Sequence, residues 1–304
     1  MNHVRPLRVA LLANAAFSLM SAGFMVLKPG IVGEMLGIQA PLVLQGIGAA
    51  LGVFAADLIL QATRDRIAPW RALYASAADF VWVLATLGLL IGFPDALSGS
   101  GKVLVGAVAL VVLGLGAWQL WAIDYVYRLP ATGEYRVCIS VQVNVSADAM
   151  WSVISRLGNI ENYAPALAHS AVLDGKAPGV GAVRLCENRV GKRWREECVG
   201  FVAGRSVVLR FVAEAPDFPF PIQRMTGGWE IMPSDRGSQV TVWWELMPKP
   251  KSFAFVILPL LAFQADRDLP QIIQRMAADA LEDAADSTRL EVPGAIARLL
   301  PNFC

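Results

Sequence analysis

The sequence predicts two domains of different class: an all-α bundle of four transmembrane helices, then an α+β domain whose curved antiparallel sheet packs around a long C-terminal helix. Three observations predict it. Four windows before residue 128 are long and apolar enough to cross a bilayer, the hydrophobic pattern switches to alternation near residue 130, and beyond residue 252 apolar residues recur at helical spacing. The expected limits are 1–128 for the membrane bundle, 129–136 for a linker, 137–290 for the α+β domain and 291–304 for a tail left unassigned.

The four windows are Val9 to Leu27, Leu42 to Leu60, Ala72 to Phe93 and Val103 to Ile123. A bilayer core needs about 20 apolar residues in a helix, and only Asp57 and Asp79 interrupt them with charge. Basic residues crowd the N-terminal tail (Arg5, Arg8), the second loop (Arg64, Arg66, Arg71) and the segment after the fourth window (Arg128, Arg136), against Lys28 and Lys102 in the other loops. The positive-inside rule then places both termini in the cytoplasm and makes the chain a multi-pass protein of the inner (cytoplasmic) membrane. Trp70, Tyr74, Trp118, Trp121, Tyr125 and Tyr127 gather at the cytoplasmic ends of the last two spans, as interfacial anchors. Asp57 lies near an end and is expected to snorkel to water or Arg64. Asp79 is deeper, roughly 10 Å in at a rise of 1.5 Å per residue, where a carboxylate either serves a function or bonds a neighbouring helix.

Composition agrees with a chain partly in lipid: 56% hydrophobic and 17% charged over 304 residues. With 26 Lys+Arg against 25 Asp+Glu there is no basic surface, so nucleic acid is excluded as a partner. Four scattered cysteines and two histidines supply neither a metal site nor a disulfide framework, and free thiols are expected. No cofactor is indicated.

From Tyr135, "YRVCISVQVNVS" alternates Val137, Ile139, Val141, Val143 and Val145 against polar neighbours, which makes a half-buried strand. Ser146 is an N-cap for "ADAMWSVISRL", with Met150, Val153, Ile154 and Leu157 on one face, and "GNIENY" forms a second short helix. Strands follow at about 168–174, 181–190, 193–202, 206–214, 223–232 and 238–247, broken by turn-rich stretches such as "DGKAPGVG" and "PSDRGS". Short turns between consecutive strands favour an antiparallel meander. A helix over 252–288 closes the domain, with Leu269, Ile272, Ile273, Met276, Ala277 and Ala280 along one face.

The motifs "VNVSADAMWSVISRLGNIENYAPAL", "PGVGAVRLCENR", "REECVGFVAG" and "GGWEIMPSDRGSQVTVWWELMPKP" stand in the order of the helix-grip fold. Residues 137–288 resemble the SRPBCC (START/Bet v 1-like) superfamily, in its polyketide cyclase/dehydrase and lipid transport branch. The resemblance implies a cavity between sheet and helix for a sterol, phospholipid, quinone, hormone or polyketide, with catalysis in a minority of members. The first half, through "KPGIVGEMLGI" and "ADFVWVLATLGLL", resembles small DoxX-like membrane domains, which carry no catalytic residue across.

Alternation assigns inward faces: Val207, Leu209 and Phe211; Met225, Trp229 and Ile231; Val240, Val242, Trp244 and Leu246. They either line an apolar pocket with aromatic walls or simply fill the core. Strands 181–190 and 193–202 are polar on both faces. There the resemblance implies that Arg184 and Glu197 point inward, with the adjacent Glu196 leaving the register open and a surface or structural pairing as the other reading. His169, Glu187, Arg195 and Glu214 form no constellation for acid–base work.

The run "SFAFVILPLLAF" opens the closing helix, and its eleven apolar residues reach only about 16 Å as a helix, too short for a fifth span. Pro259 suggests a bend or a late helix start. Phe255 and Leu258 are expected to wall the cavity, and the outer side of the run to meet the bilayer or the helical bundle as an entrance. The expected function is membrane-anchored binding or carriage of a hydrophobic small molecule, with the bilayer as partner. The alternatives are a cyclase or dehydratase acting on an aromatic or polyketide-like substrate through Arg184 and Glu197, and a protein-interaction module with a filled cavity. The oligomeric state stays open.

Overall fold

The computed structural model of the protein describes residues 3–288 and 294–300, and the chain divides into two compact units, Met1–Tyr127 and Arg128–Cys304.

The first unit comprises helices α1 (Arg5–Leu27), α2 (Pro29–Leu36), α3 (Pro41–Thr63), α4 (Pro69–Gly92) and α5 (Gly99–Tyr127). All except α2 are long and apolar enough to cross a membrane, and they cover the four expected windows but for Phe93, the C-cap residue of α4. Proline stands in the first turn of α1 to α4, where its fixed φ suits a helix start and its missing N–H has no partner to lose. Helix α2 was not anticipated from sequence, because eight residues carry too little periodicity; it ends at Gly37, whose φ of 78° makes a left-handed C-cap. α1 packs chiefly on α3, and α4 on α5. The inward faces are small, with Ala10, Ala55, Ala72, Ala75 and Ala122 buried, so backbones approach closely. Val53, Val81, Leu84, Ile91 and Leu110 are exposed, an apolar exterior that suits lipid rather than water.

The second unit is an antiparallel sheet with helices on its inner face. The strands are β1 (Tyr135–Val143), β2 (Leu167–Val172), β3 (Val183–Asn188), β4 (Arg193–Val202), β5 (Ser206–Phe211), β6 (Ile222–Ser234), β7 (Gly237–Pro248) and β8 (Ala297–Leu299). Their order is β2-β3-β4-β5-β6-β7-β1-β8, so β1 lies against β7 in register from Tyr135↔Leu246 to Val143↔Ser238. Between β1 and β2 come α6 (Ala147–Ile154) and a 3-10 segment, Leu157–Asn162; Ser146 caps α6 by accepting from the Ala149 N–H. The long helix α7 (Ala254–Thr288) packs on β1, β7 and α6. The result is the helix-grip arrangement of sheet and closing helix. Its core joins Ile139, Val141, Val143, Val240 and Val242 to Leu269, Ile273, Met276 and Ala280.

Three expectations need correction. α7 starts at Ala254, ahead of Pro259, and holds both Pro259 and Pro270 inside it; packing of the helix on the sheet outweighs the late start suggested by the missing donor. Within the expected tail, Ala297–Leu299 forms β8, paired with Val141 to Val143 of β1. Cys138 is disulfide-bonded, whereas Cys186 and Cys198 are the free, buried thiols expected.

Candidate ligand-binding site

Strand parity builds the site. Arg184 stands opposite Glu196, Glu196 opposite Phe211, and Phe211 opposite Met225, so these four share one face of the sheet. In the next row Cys198, Leu209, Gly227 and Trp244 are opposite one another. Apart from Cys198, these residues form the floor of a cavity of about 240 Å³, which Trp194, Phe220 and Trp229 also line, with Leu261 and Ile272 of α7 as its lid. Gly227 shapes it: a Cβ there would stand 2.8 Å from Trp244 Cδ1, so only glycine lets that indole lie across the floor. A wider hollow of about 470 Å³ shares Trp194, Phe220, Trp244, Leu261 and Ile272 and forms the mouth. Its rim combines Asn188, Arg189 and Val190 of the β3–β4 hairpin with Gln264 and Asp268 of α7.

One ion pair interrupts the apolar wall. Arg184 approaches Glu196 Oε2 through Nη2 at 2.6 Å and Nε at 2.8 Å, with side chains 10% and 4% exposed. Arg184 Nη1 donates to the Leu157 carbonyl at 3.0 Å, and Trp194 Nε1 donates to Glu196 Oε1 at 2.7 Å. Both oxygens of Glu196 are therefore occupied, while Arg184, with five N–H donors, keeps some unspent. Burial opposes the Arg184 charge, yet Glu196 outweighs it and holds the guanidinium above its ordinary pKa. Beside them the Cys186 thiol is pushed up to about 12, first by burial and then by the Glu196 charge. Behind the cavity the Tyr163 hydroxyl donates to Asp279 of α7; burial first and this carboxylate second raise its pKa.

Arg184, Leu209, Phe211, Met225, Trp229 and Trp244 all line the cavity. Glu197 does not. It is one residue out of phase with Trp194, Glu196 and Cys198, and pairs instead with the part-exposed Arg210 at 2.7 Å. Val242 is buried opposite Trp229 and does not line the cavity. Phe255 is half-buried and Leu258 fully buried, yet neither lines it; Leu261 and Ile272 do, eleven residues and three turns apart and so nearly in line along α7, with Leu258 three residues before Leu261 toward the helix start. Of the apolar run, Leu261 alone touches the cavity, while Phe253, Leu260 and Phe263 are exposed. Glu187 pairs with Arg193 and Glu214 with Arg210, and His169 meets Glu161 at 3.1 Å with its ring largely exposed. None of these lines the cavity. Sequence reading missed Trp194 and Phe220, and left open whether Glu196 or Glu197 faces inward. The alternation of Trp194 and Cys198 about Glu196 was the available signal.

In the helical unit Asp57 is satisfied by Gln61 Nε2 at 2.5 Å and the Tyr74 hydroxyl at 3.0 Å, not by Arg64. Asp79 is buried among α1, α4 and α5. Among the described residues no cluster of His, Cys, Asp and Glu suits a metal.

Residues 135–281, just under half of the chain, match the family model described as polyketide cyclase / dehydrase and lipid transport. No curated protein matches the chain. Similar solved structures include the Zhui aromatase/cyclase from Streptomyces sp. R1128, at 14% identity and TM-score 0.40 over 51% of this chain and 99% of that one. Norcoclaurine synthase from Thalictrum flavum aligns at 17% identity and TM-score 0.39 over 49% and 88% of the two chains. Protein MLL2253 from Mesorhizobium loti aligns at 15% identity and TM-score 0.35 over 51% and 99%.

Proposed function

We propose that the chain is a multi-pass membrane protein that binds or carries a hydrophobic small molecule, a lipid, quinone or similar hydrophobe, in the cavity of its second unit. In this reading residues 135–281 belong to the polyketide cyclase/dehydrase and lipid-transport branch of the SRPBCC superfamily, and the loop charges put both termini in the cytoplasm. The observation that carries it is the cavity: aromatic and aliphatic walls around a single guanidinium with donors to spare. Such walls suit a flat or branched hydrophobe, and Arg184 suits one acceptor oxygen on it, a carbonyl or ester. The bilayer is the source of the ligand.

Binding is favoured over turnover by the state of Glu196. Its two oxygens are held by Arg184 and Trp194, so a substrate proton would have to compete with these hydrogen bonds for the carboxylate. The test is native mass spectrometry of the full chain in lipid nanodiscs. A bound hydrophobe lost on Gly227→Leu, which fills the cavity, is the expected result. Absence of any adduct, together with no rise in melting temperature from added lipids or quinones, sinks the reading.

A further inference from the structure

The first unit has a partly open cavity of its own, about 170 Å³, and a carboxylate faces it. Asp79 on α4 is 5% exposed; Asn14 Nδ2 of α1 donates to its Oδ2 at 2.8 Å, and Gln119 Nε2 of α5 donates to the same oxygen at 2.9 Å. Ser18 donates to Asn14 Oδ1 at 3.2 Å, which fixes the direction of that amide. Gly116 permits the close approach of α5, since a Cβ there would meet Asp79 Cβ at 3.1 Å. With both amides on Oδ2, the other oxygen, Oδ1, has no donor among the described residues.

The remaining walls carry no positive charge. Phe17, Phe54 and Trp82 supply aromatic faces, and Met25, Leu51 and Val112 aliphatic ones. A carboxylate closed into apolar surroundings requires a proton or a cation, because an unpaired buried charge is costly. Aromatic faces beside it favour a cation over a neutral molecule. A cavity of about 150 Å³ is known to hold a benzene ring, so this one matches a single ring on a short arm.

We propose that this cavity is a second binding site, independent of the one between sheet and helix, and that it takes a hydrophobic primary amine. The ammonium donates to Asp79 Oδ1 and the apolar body lies among Phe17, Phe54 and Trp82. A neutral molecule of the same shape leaves the carboxylate unmatched and binds worse.

The experiment is calorimetric titration of the full chain in lipid nanodiscs with phenethylamine, against phenethyl alcohol and empty nanodiscs. Saturable binding of the amine is expected, weakened at least about tenfold in Asp79→Asn, as loss of a charge-assisted hydrogen bond implies. Ser21→Phe blocks the cavity and leaves the Asp79 hydrogen bonds in place, so it too should abolish binding, and it decides the matter if Asp79→Asn does not fold. Equal binding of amine and alcohol, no saturable signal above empty nanodiscs, or amine binding that survives Ser21→Phe overturns the proposal.

Discussion

Arg184 and Glu196 stand directly opposite each other on β3 and β4, 2.6 Å from Nη2 to Oε2, and both are almost closed off from solvent. A pair buried in this way is worth little against an apolar replacement, but either half left alone is expensive. Glu196→Ala should therefore destabilise the second unit by about 3–5 kcal/mol, and the double replacement Arg184→Met with Glu196→Leu should restore most of the loss. Thermal melts of the full chain with both variants check this. The double variant should also fail to retain a ligand that needs the guanidinium.

Glu197 is the internal control. Its partner Arg210 is 42% exposed, so Glu197→Ala should cost at most about 1 kcal/mol and leave ligand retention unchanged. A loss of ligand on Glu197→Ala equal to that on Glu196→Ala would show the wrong face to be the binding face.

Alkaline pH should weaken the second unit through Cys186. Its thiol is raised from an ordinary 9.0 to about 12 in the fold, so between these values the unfolded chain releases a proton that the folded chain keeps. Stability is then intact below pH 9 and falls as pH rises toward about 12. Denaturation measured from pH 8 to 11 should show this slope, and Cys186→Ala should flatten it. In the folded protein at pH 8, Cys186 should resist alkylation by iodoacetamide.

Gly227 sets the width of the cavity. Gly227→Ala pushes a methyl against Trp244 at a distance no relaxed contact has, so the indole must move into the space a ligand would use. Destabilisation of about 1–3 kcal/mol and weaker retention of the hydrophobe are expected, read by melting temperature and by mass spectrometry.

The strands of the second unit were legible where one face is clearly apolar. Trp229 and Trp244, with Leu209 and Phe211, could be assigned inward because period-2 alternation leaves no second choice. β4 was not legible in this way. "REE" offers a charge to both faces, and a one-residue slip exchanges Glu196 for Glu197; only Trp194 and Cys198, two residues to either side, break the tie. The start of α7 failed for the opposite reason. A run that is apolar at every position has no helical phase, so Phe255, Leu258 and Leu261 are indistinguishable within it. Stepping back from Ile272 at helical spacing reaches both Leu261, eleven residues earlier, and Leu258, fourteen earlier, so phase disfavours Phe255 and only position along the axis selects Leu261. The packing of Asp79 against Asn14 and Gln119 was illegible as well, since it joins three helices far apart in sequence.

The two prolines within α7 lie eleven residues apart, three turns, and so within about 20° of each other around the helix axis. Each removes an N–H that would have bonded the carbonyl four residues earlier. The ten residues between them, Leu260 to Leu269, include Leu261, Gln264, Ala265, Asp268 and Leu269, which border the mouth. That stretch is thus joined to the rest of the helix by a backbone ladder with a rung missing at either end, and it is the part of α7 that borders the mouth.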